Sequence, residues 1–142
     1  MESFVIKGGQ PLSGTIRPSG NKNAALPIVA ASLLADEPVV IRNVPRILDV
    51  ATMLELVAST GAGVERLGPN ELRIDPRGLH RAGLDPALSA RIRASVLLAA
   101  PLVARTGHCV LPPPGGDVIG RRRLDTHLLA FRSLGVRASF DR

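Results

Sequence analysis

Two basic, glycine-marked segments, each opening an apolar helix, decide how this chain folds. The first reads Ser19-Gly20-Asn21-Lys22-Asn23-Ala24-Ala25-Leu26-Pro27, and the second reads Gly115-Gly116-Asp117-Val118-Ile119-Gly120-Arg121-Arg122-Arg123-Leu124-Asp125-Thr126-His127. A helix N-terminus carries partial positive charge and unpaired N–H groups, so a lysine or arginine there is locally unfavourable. Because this arrangement occurs twice, the sequence predicts two places that hold phosphate or carboxylate groups.

An internal repeat with an offset of 70 residues organises the chain. Residues 23–43 and 93–113 each predict a long apolar helix and then a short strand, Val39–Ile41 in the first copy and Cys109–Leu111 in the second. Because both helices are apolar nearly all round, we expect each to be buried on every side. A repeat of this kind indicates one supersecondary unit used more than once.

A second helix follows in each copy, near Val50 to Ser59 and near Leu124 to Ser133. Gly61 and Gly135 come just after these helices, at the position where a left-handed glycine commonly ends a helix. The second helices are therefore expected to end at equivalent points of the two copies.

The strands after these helices differ between the copies. The first copy predicts a hairpin, with strands at residues 62–66 and 72–75 around a Gly-Pro-Asn-Glu turn. The second copy predicts a strand at Val136 to Phe140 without a return strand, so we expect this unit to be incomplete. Because an unpaired strand at a sheet edge recruits strands from other chains, we also expect self-association.

Charge and composition narrow the class of ligand. The net charge of +6 permits nucleic acid, an anionic membrane or small anions as partners. Stacking on single-stranded nucleic acid uses exposed aromatic side chains, and the chain has three Phe and no Trp or Tyr. We therefore favour small anions as ligands, and a stand-alone basic RNA-binding or interaction module is the alternative.

The cysteine count and the apolar stretches exclude further classes. A single cysteine, Cys109, permits neither an internal disulfide nor a cysteine-based zinc site, and no His, Asp, Glu and Cys set has metal-ligand spacing. Cys109 is expected to be an inert buried thiol within a strand. The apolar stretch from Ala24 to Leu34 is too short to span a bilayer, so we expect no membrane contact and a cytoplasmic location.

Four motifs together resemble the UDP-N-acetylglucosamine 1-carboxyvinyltransferase family. They are residues 19–27, Pro101-Leu102-Val103-Ala104-Arg105, Gly115-Gly116-x-x-Ile119-Gly120 and residues 122–127. The resemblance implies transfer of enolpyruvyl from phosphoenolpyruvate to the 3'-hydroxyl of UDP-N-acetylglucosamine in peptidoglycan synthesis, with no cofactor. The shikimate-pathway enolpyruvyl transferases are a rival within the superfamily, but their motif differs from Asn21–Ala25.

The same resemblance implies a fold and a division of the chain. The fold class is α/β (α+β), with repeated βαβαββ units of the family's inside-out barrel, of which about two of six are present. Residues 1–20 would be a strand segment shared with the family's second domain. Residues 21–85 would form the first unit, and residues 86–142 a second unit that lacks its C-terminal hairpin. A partial chain of this kind is expected to be inactive by itself.

The resemblance also assigns substrate-binding residues. Lys22 and Asn23 match the family's phosphoenolpyruvate-contacting pair, and Arg93 matches an arginine that contacts the sugar nucleotide. The nucleotide-binding stretch is matched by Arg122, Arg123, Leu124, Asp125 and Thr126, and Arg122 also matches an arginine that contacts phosphoenolpyruvate. From the residues alone, other interpretations stay open. A structural salt bridge is an alternative for Arg91 and for Arg93, and a helix N-cap is an alternative for Asp125.

Asp117 stands where most members of the family carry a catalytic cysteine and some carry aspartate. The reaction needs a group that protonates the methylene carbon of phosphoenolpyruvate while a sugar hydroxyl attacks the neighbouring carbon. A carboxylic acid does this only in its protonated form. Fosfomycin alkylates the family's cysteine, and a carboxylate is a much poorer nucleophile than a thiolate, so Asp117 implies resistance to the drug.

Overall fold

The computed structural model describes residues 3–117, 120 and 123–139. Helices and strands follow one another along these residues as α1 (Lys22–Ser32), β1 (Val39–Arg42), α2 (Leu48–Ser59), β2 (Gly63–Gly68), β3 (Glu71–Asp75), α3 (Pro86–Ser89), α4 (Ala99–Thr106) and α5 (Asp125–Ser133). Two 3₁₀ helices, Pro76–Gly78 and Arg93–Leu98, come after β3 and before α4.

The start of α1 is fixed by a side-chain cap. Asn21 has an extended backbone, and its side-chain oxygen accepts a hydrogen bond of 2.7 Å from the Asn23 N–H. The bond satisfies one of the N–H groups left unpaired at a helix start. With its buried face α1 packs against α2 and the 3₁₀ helix Arg93–Leu98, whereas Ile28 on the opposite face is 48% exposed. The expectation that this helix is buried on every side is therefore wrong.

The equivalent helix of the second copy is divided. Residues 93–98 form a 3₁₀ helix, and regular α-helix begins only at Ala99. The cause is Pro101, which has no N–H to donate to the Leu97 carbonyl and whose ring crowds that carbonyl. Ala100 and Ala104 of α4 are exposed, so this helix is also not buried on every side.

The predicted hairpin of the first copy is confirmed and forms the middle and one edge of an antiparallel sheet. The strand order is β1-β3-β2, with Ile41 opposite Leu72 and Val64 opposite Ile74. Ile41, Leu72 and Ile74 are buried and alternate with exposed residues, as the period of two along a strand requires when one face covers a core.

The helix ends predicted from glycine are also confirmed. Gly61 follows the capping residue of α2 with a φ of 97°, and Gly135 follows that of α5 with a φ of 84°. Both angles lie in the left-handed region that favours glycine.

The core lies between the helices and the inner face of the sheet. Its largest fully buried side chains come from both copies of the repeat: Leu33, Met53, Leu56, Leu72, Ile74, Leu98 and Leu102. By contrast, α5 buries no residue, and Leu134 just beyond it is 81% exposed. The second copy therefore contributes to the core through its first helices and not through α5.

Three expected strands are not formed. Cys109–Leu111 contributes only an isolated parallel bridge, between Val110 and Gly83. Residues 136–139 and residues 3–20 are neither helix nor strand, and Phe140, the last residue of the predicted C-terminal strand, lies outside the described residues. A strand needs a continued ladder of hydrogen bonds to a second strand. Val110 makes only the two backbone bonds of its bridge, to Ala82 and Leu84, and the other two segments pair with no strand among the described residues.

The segment 3–20 is exposed along its length, and its apolar side chains are exposed with it. Phe4, Leu12 and Ile16 are each more than 90% exposed. Within the described part of the chain, no helix combines the length and the apolar character that crossing a bilayer would require.

Candidate functional site

A cavity of about 290 Å³ gathers three of the residues assigned from the sequence, Lys22, Arg93 and Asp117. Its lining consists of Lys22, Asp49, Arg91, Ile92, Arg93, Gly116 and Asp117. A second cavity, of about 390 Å³, shares Lys22, Asp49 and Arg93 with the first and is otherwise lined by Asn23 and apolar residues. The two copies of the repeat therefore meet at this site, because Lys22 comes from the first copy and Asp117 from the second.

Lys22 is brought to the cavity by its position as the first residue of α1. Its Nζ donates a hydrogen bond of 2.7 Å to Oδ2 of Asp49, which lies in the first turn of α2. The approach to α1 needs glycine at position 20, because a Cβ there would lie 1.8 Å from the Asn43 carbonyl oxygen. Close packing against the Asn43 carbonyl therefore requires Gly20, two residues before Lys22.

Two arginines from the segment after α3 line the same cavity. Arg93 is the first residue of the 3₁₀ helix, and buried Ile92 before it anchors the segment in the core. Arg91 donates through Nη1 to Oε2 of Glu55 at 3.2 Å. The salt-bridge interpretation that the sequence left open therefore holds for Arg91, whose side chain also faces the cavity.

Asp117 reaches the cavity on a loop that is hydrogen-bonded to the end of α3. The Gly115 N–H donates to the Ser89 carbonyl at 3.0 Å, and the Gly116 N–H donates to the Ala90 carbonyl at 3.3 Å. A Cβ at position 115 would lie 1.7 Å from the Ala90 carbonyl oxygen, so only glycine permits this approach. Asp117 itself is exposed.

The predicted residues of the second basic segment that the structure describes lie outside both cavities. Of Arg123, Leu124, Asp125 and Thr126, none lines either cavity, and Arg122 lies outside the described residues. Arg123 forms an ion pair with Asp125 through Nε and Oδ2. The interpretation of Asp125 as an N-cap is wrong by one position, because Leu124 occupies the cap and Asp125 is the first helical residue.

Asp49 is the site residue that sequence reasoning missed. In the sequence it is only an acidic residue near the start of a helix, a common position for a carboxylate. It contacts Lys22 across 27 residues of chain, through the packing of α1 against α2. A contact of that kind has no local sequence signal.

Cys109 is half-buried, and burial raises the pKa of its thiol to about 11. The thiol is therefore protonated near neutral pH, as expected of an inert cysteine, although its segment is not the strand that was predicted. Among the described residues no group of three or more His, Cys, Asp and Glu side chains is arranged to hold a metal ion.

The geometry is that of a polar cleft with cations and one exposed carboxylate, on a repeated α/β unit, and sequence comparison identifies its class. Residues 6–142 match the family of EPSP synthase (3-phosphoshikimate 1-carboxyvinyltransferase). The chain belongs to this family of carboxyvinyl, or enolpyruvyl, transferases.

Individual members of the family show which kind of carboxyvinyltransferase this chain resembles. The chain is 57% identical over 136 residues to the UDP-N-acetylglucosamine 1-carboxyvinyltransferase of Bradyrhizobium diazoefficiens, covering 96% of this chain and 32% of that protein. It is 49% identical over 141 residues to the enzyme of the same name from Treponema denticola, covering 99% of this chain and 33% of that protein. The chain thus spans about a third of the length of these relatives.

A solved structure confirms the fold class. The enolpyruvyl transferase NikO from Streptomyces tendae is 37% identical in sequence and superposes with a TM-score of 0.61. The match covers 70% of this chain and 23% of that chain. The predicted α/β architecture of an enolpyruvyl transferase is therefore the fold observed.

Proposed function

We propose that this chain forms part of an enzyme that transfers enolpyruvyl from phosphoenolpyruvate to the 3'-hydroxyl of UDP-N-acetylglucosamine, in peptidoglycan synthesis in the cytoplasm. The single observation that carries the proposal is the cavity where Lys22, Arg93 and Asp117 meet. Cations beside an exposed carboxylate suit a ligand that carries phosphate and carboxylate groups and must also receive a proton. The names of the relatives favour the sugar nucleotide over a shikimate substrate as acceptor.

In the proposed mechanism Asp117 is the proton donor. Its carboxylic acid gives a proton to the methylene carbon of phosphoenolpyruvate while the sugar hydroxyl oxygen forms a bond to the neighbouring carbon, and the hydroxyl proton passes to solvent water. Phosphate then departs from that carbon with the electrons of the C–O bond, and the Asp117 carboxylate takes a proton from the methyl group, which restores the double bond and the acid.

Lys22 and Asn23 are proposed to bind phosphoenolpyruvate, and Arg93 to bind the sugar nucleotide. Lys22 and Arg93 line both cavities and Asn23 lines the second, so one ligand placed between them contacts residues of both repeat copies. The stretch from Arg122 to Thr126 is proposed to bind the nucleotide on the basis of the family motif.

The test is calorimetric titration of the chain with phosphoenolpyruvate, UDP-N-acetylglucosamine and an RNA oligomer, each at two salt concentrations. Lys22→Ala should weaken phosphoenolpyruvate binding roughly tenfold or more, because a hydrogen bond to a charged group contributes about 1.5–3 kcal/mol. Arg42→Ala is the matched control, since Arg42 is an exposed cation on β1 outside both cavities. Steep salt dependence with RNA and no response to either small ligand would support the RNA-binding alternative instead.

The chain by itself is proposed not to turn over. The family encloses its reactants between two domains, and anionic reactants in open water lack the preorganised field that lowers the barrier. The assay is phosphate release from phosphoenolpyruvate plus UDP-N-acetylglucosamine at catalytic concentrations of the chain. Measurable release would contradict this part of the proposal.

A further inference from the structure

Asp49 is the cavity-lining carboxylate that the proposed reaction leaves without a role. Its Oδ2 accepts the 2.7 Å hydrogen bond from Lys22 Nζ, and both residues line both cavities. The pair is partly exposed, with 49% of the lysine side chain and 37% of the aspartate side chain accessible. It therefore lies at the mouth of the site, where a ligand would meet it.

The position of Asp49 in α2 favours its negative charge independently of Lys22. The residue belongs to the first turn of α2, where the helix dipole favours a negative charge. Ile47, the residue before α2, supplies no side-chain cap, so Asp49 is an acidic group placed at an otherwise uncapped helix start. Because α2 packs against α1, the backbones that carry the two charges are fixed relative to each other.

The second carboxylate of α2 is arranged in the same way. Glu55 contacts Arg91, another cation that lines the cavity, at 3.2 Å. Each acidic residue of α2 thus accepts from a cation brought by a different element, Lys22 from α1 and Arg91 from the segment after α3. The helix acts as a support for the basic side chains of the site.

We propose that Asp49 is a positioning residue, which holds the Lys22 ammonium at the cavity so that it is in place for the phosphate or carboxylate of the ligand. An ammonium has three N–H donors, so a bond to Asp49 is compatible with binding an anion as well. A lysine side chain that is already oriented loses less rotamer freedom when the ligand arrives. The role in ligand binding rests on the proposed function, whereas the orientation of Lys22 does not.

The orientation is measured without a ligand, by NMR relaxation of the lysine side chains. The chain has two lysines, Lys22 and Lys7, and Lys7 in the exposed segment 3–20 is the internal standard for a mobile side chain. We expect Lys22 to be more ordered than Lys7, and Asp49→Asn to lower the order of the Lys22 side chain. Asp36→Asn is the matched control, because Asp36 forms an ion pair of 2.8 Å with Arg105 away from both cavities. If the order of Lys22 is the same in Asp49→Asn as in the unchanged chain, the proposal is overturned.

The second measurement is the affinity of the chain for phosphoenolpyruvate. Asp49→Asn should weaken it by roughly two- to fivefold, the range expected for a partly exposed ion pair, and Asp36→Asn should leave it unchanged. Equal binding by Asp49→Asn would show that the carboxylate makes no contribution, and tighter binding would show that it competes with the ligand. Either result contradicts the proposal. If the unchanged chain binds no phosphoenolpyruvate, the proposed function fails, and the relaxation data alone decide whether Asp49 orients Lys22.

Discussion

At the scale of single residues, the role proposed for Asp117 leads to a prediction about fosfomycin. The drug is an epoxide, and its alkylation needs a soft and strongly nucleophilic thiolate. We therefore expect the full-length protein that carries this segment to resist the drug. Asp117→Cys in that protein should introduce sensitivity and keep some activity, because the loop position in the cavity is unchanged.

The check is mass spectrometry of the full-length protein and its Asp117→Cys variant after drug treatment. A covalent adduct should appear on the variant only. Asp117 is assigned to the position at which other members of the family carry the catalytic cysteine. An adduct at Asp117 or Cys109 of the unchanged protein would contradict that assignment, and so would an Asp117→Cys variant that is active but carries no adduct.

Cys109 provides a prediction for pH dependence. Because burial raises the pKa of its thiol to about 11, the reactive thiolate is scarce at pH 7 and becomes abundant only as the pH approaches that value. Iodoacetamide should therefore modify the folded chain much more slowly at pH 7–8 than the urea-unfolded chain, in which the thiol returns to its ordinary pKa near 8.5. The rates are followed by mass spectrometry, and equal rates in the two states would show that Cys109 is not protected.

At the scale of elements, the loop that carries Asp117 depends on its two amide contacts with the end of α3. Gly115→Ala places a Cβ against the Ala90 carbonyl and should displace the loop. We expect a loss of about 1–3 kcal/mol in the free energy of unfolding, as the Gly115 and Gly116 hydrogen bonds break. Denaturant unfolding followed by circular dichroism measures the loss.

The matched control is Gly83→Ala. A Cβ at position 83 would meet only the Val110 side chain, at an ordinary contact distance of 3.8 Å, and the backbone there is not left-handed. Its effect should stay within about 0.5 kcal/mol. An equal loss in the free energy of unfolding of the two variants would contradict the expectation that the contact of Gly115 with the end of α3 stabilises the fold.

The elements differ in how far the sequence alone could predict them. α2, α5 and the β2–β3 hairpin have local signals, namely apolar periodicity, a glycine after each helix and a turn sequence. Residues 109–111 and 136–139 have strand-like composition too, but strand formation also needs a partner that composition does not supply.

The residues of the site also differ in whether the local sequence predicts them. Lys22, Arg93 and Asp117 were named because motifs carry them, and the fold gathers them at one cavity. Asp49 has no motif in the sequence, and only the packing of α1 on α2 relates it to Lys22.

At the scale of the whole molecule, the sheet has two outer strands, β1 and β2. Outer strands recruit strands of other chains, so self-association is still expected, although the C-terminal segment that first suggested it is not a strand through residue 139. Val40→Lys, which puts a charge on β1, should lower the association measured by sedimentation velocity. Leu134→Lys, a change at an 81% exposed site after α5, is the control. A monomer at all concentrations would contradict this expectation.

The exposed segment before α1 is one place where a protease is expected to act early. Cleavage requires backbone that enters an active site in extended form, and residues engaged in helix or sheet resist it. Lys7 and Arg17 lie in this segment, before the capped start of α1. Trypsin should therefore cut after Lys7, whereas the bond after Arg17 resists it because Pro18 follows. Brief digestion should shorten this segment and leave the helices and sheet that follow it intact.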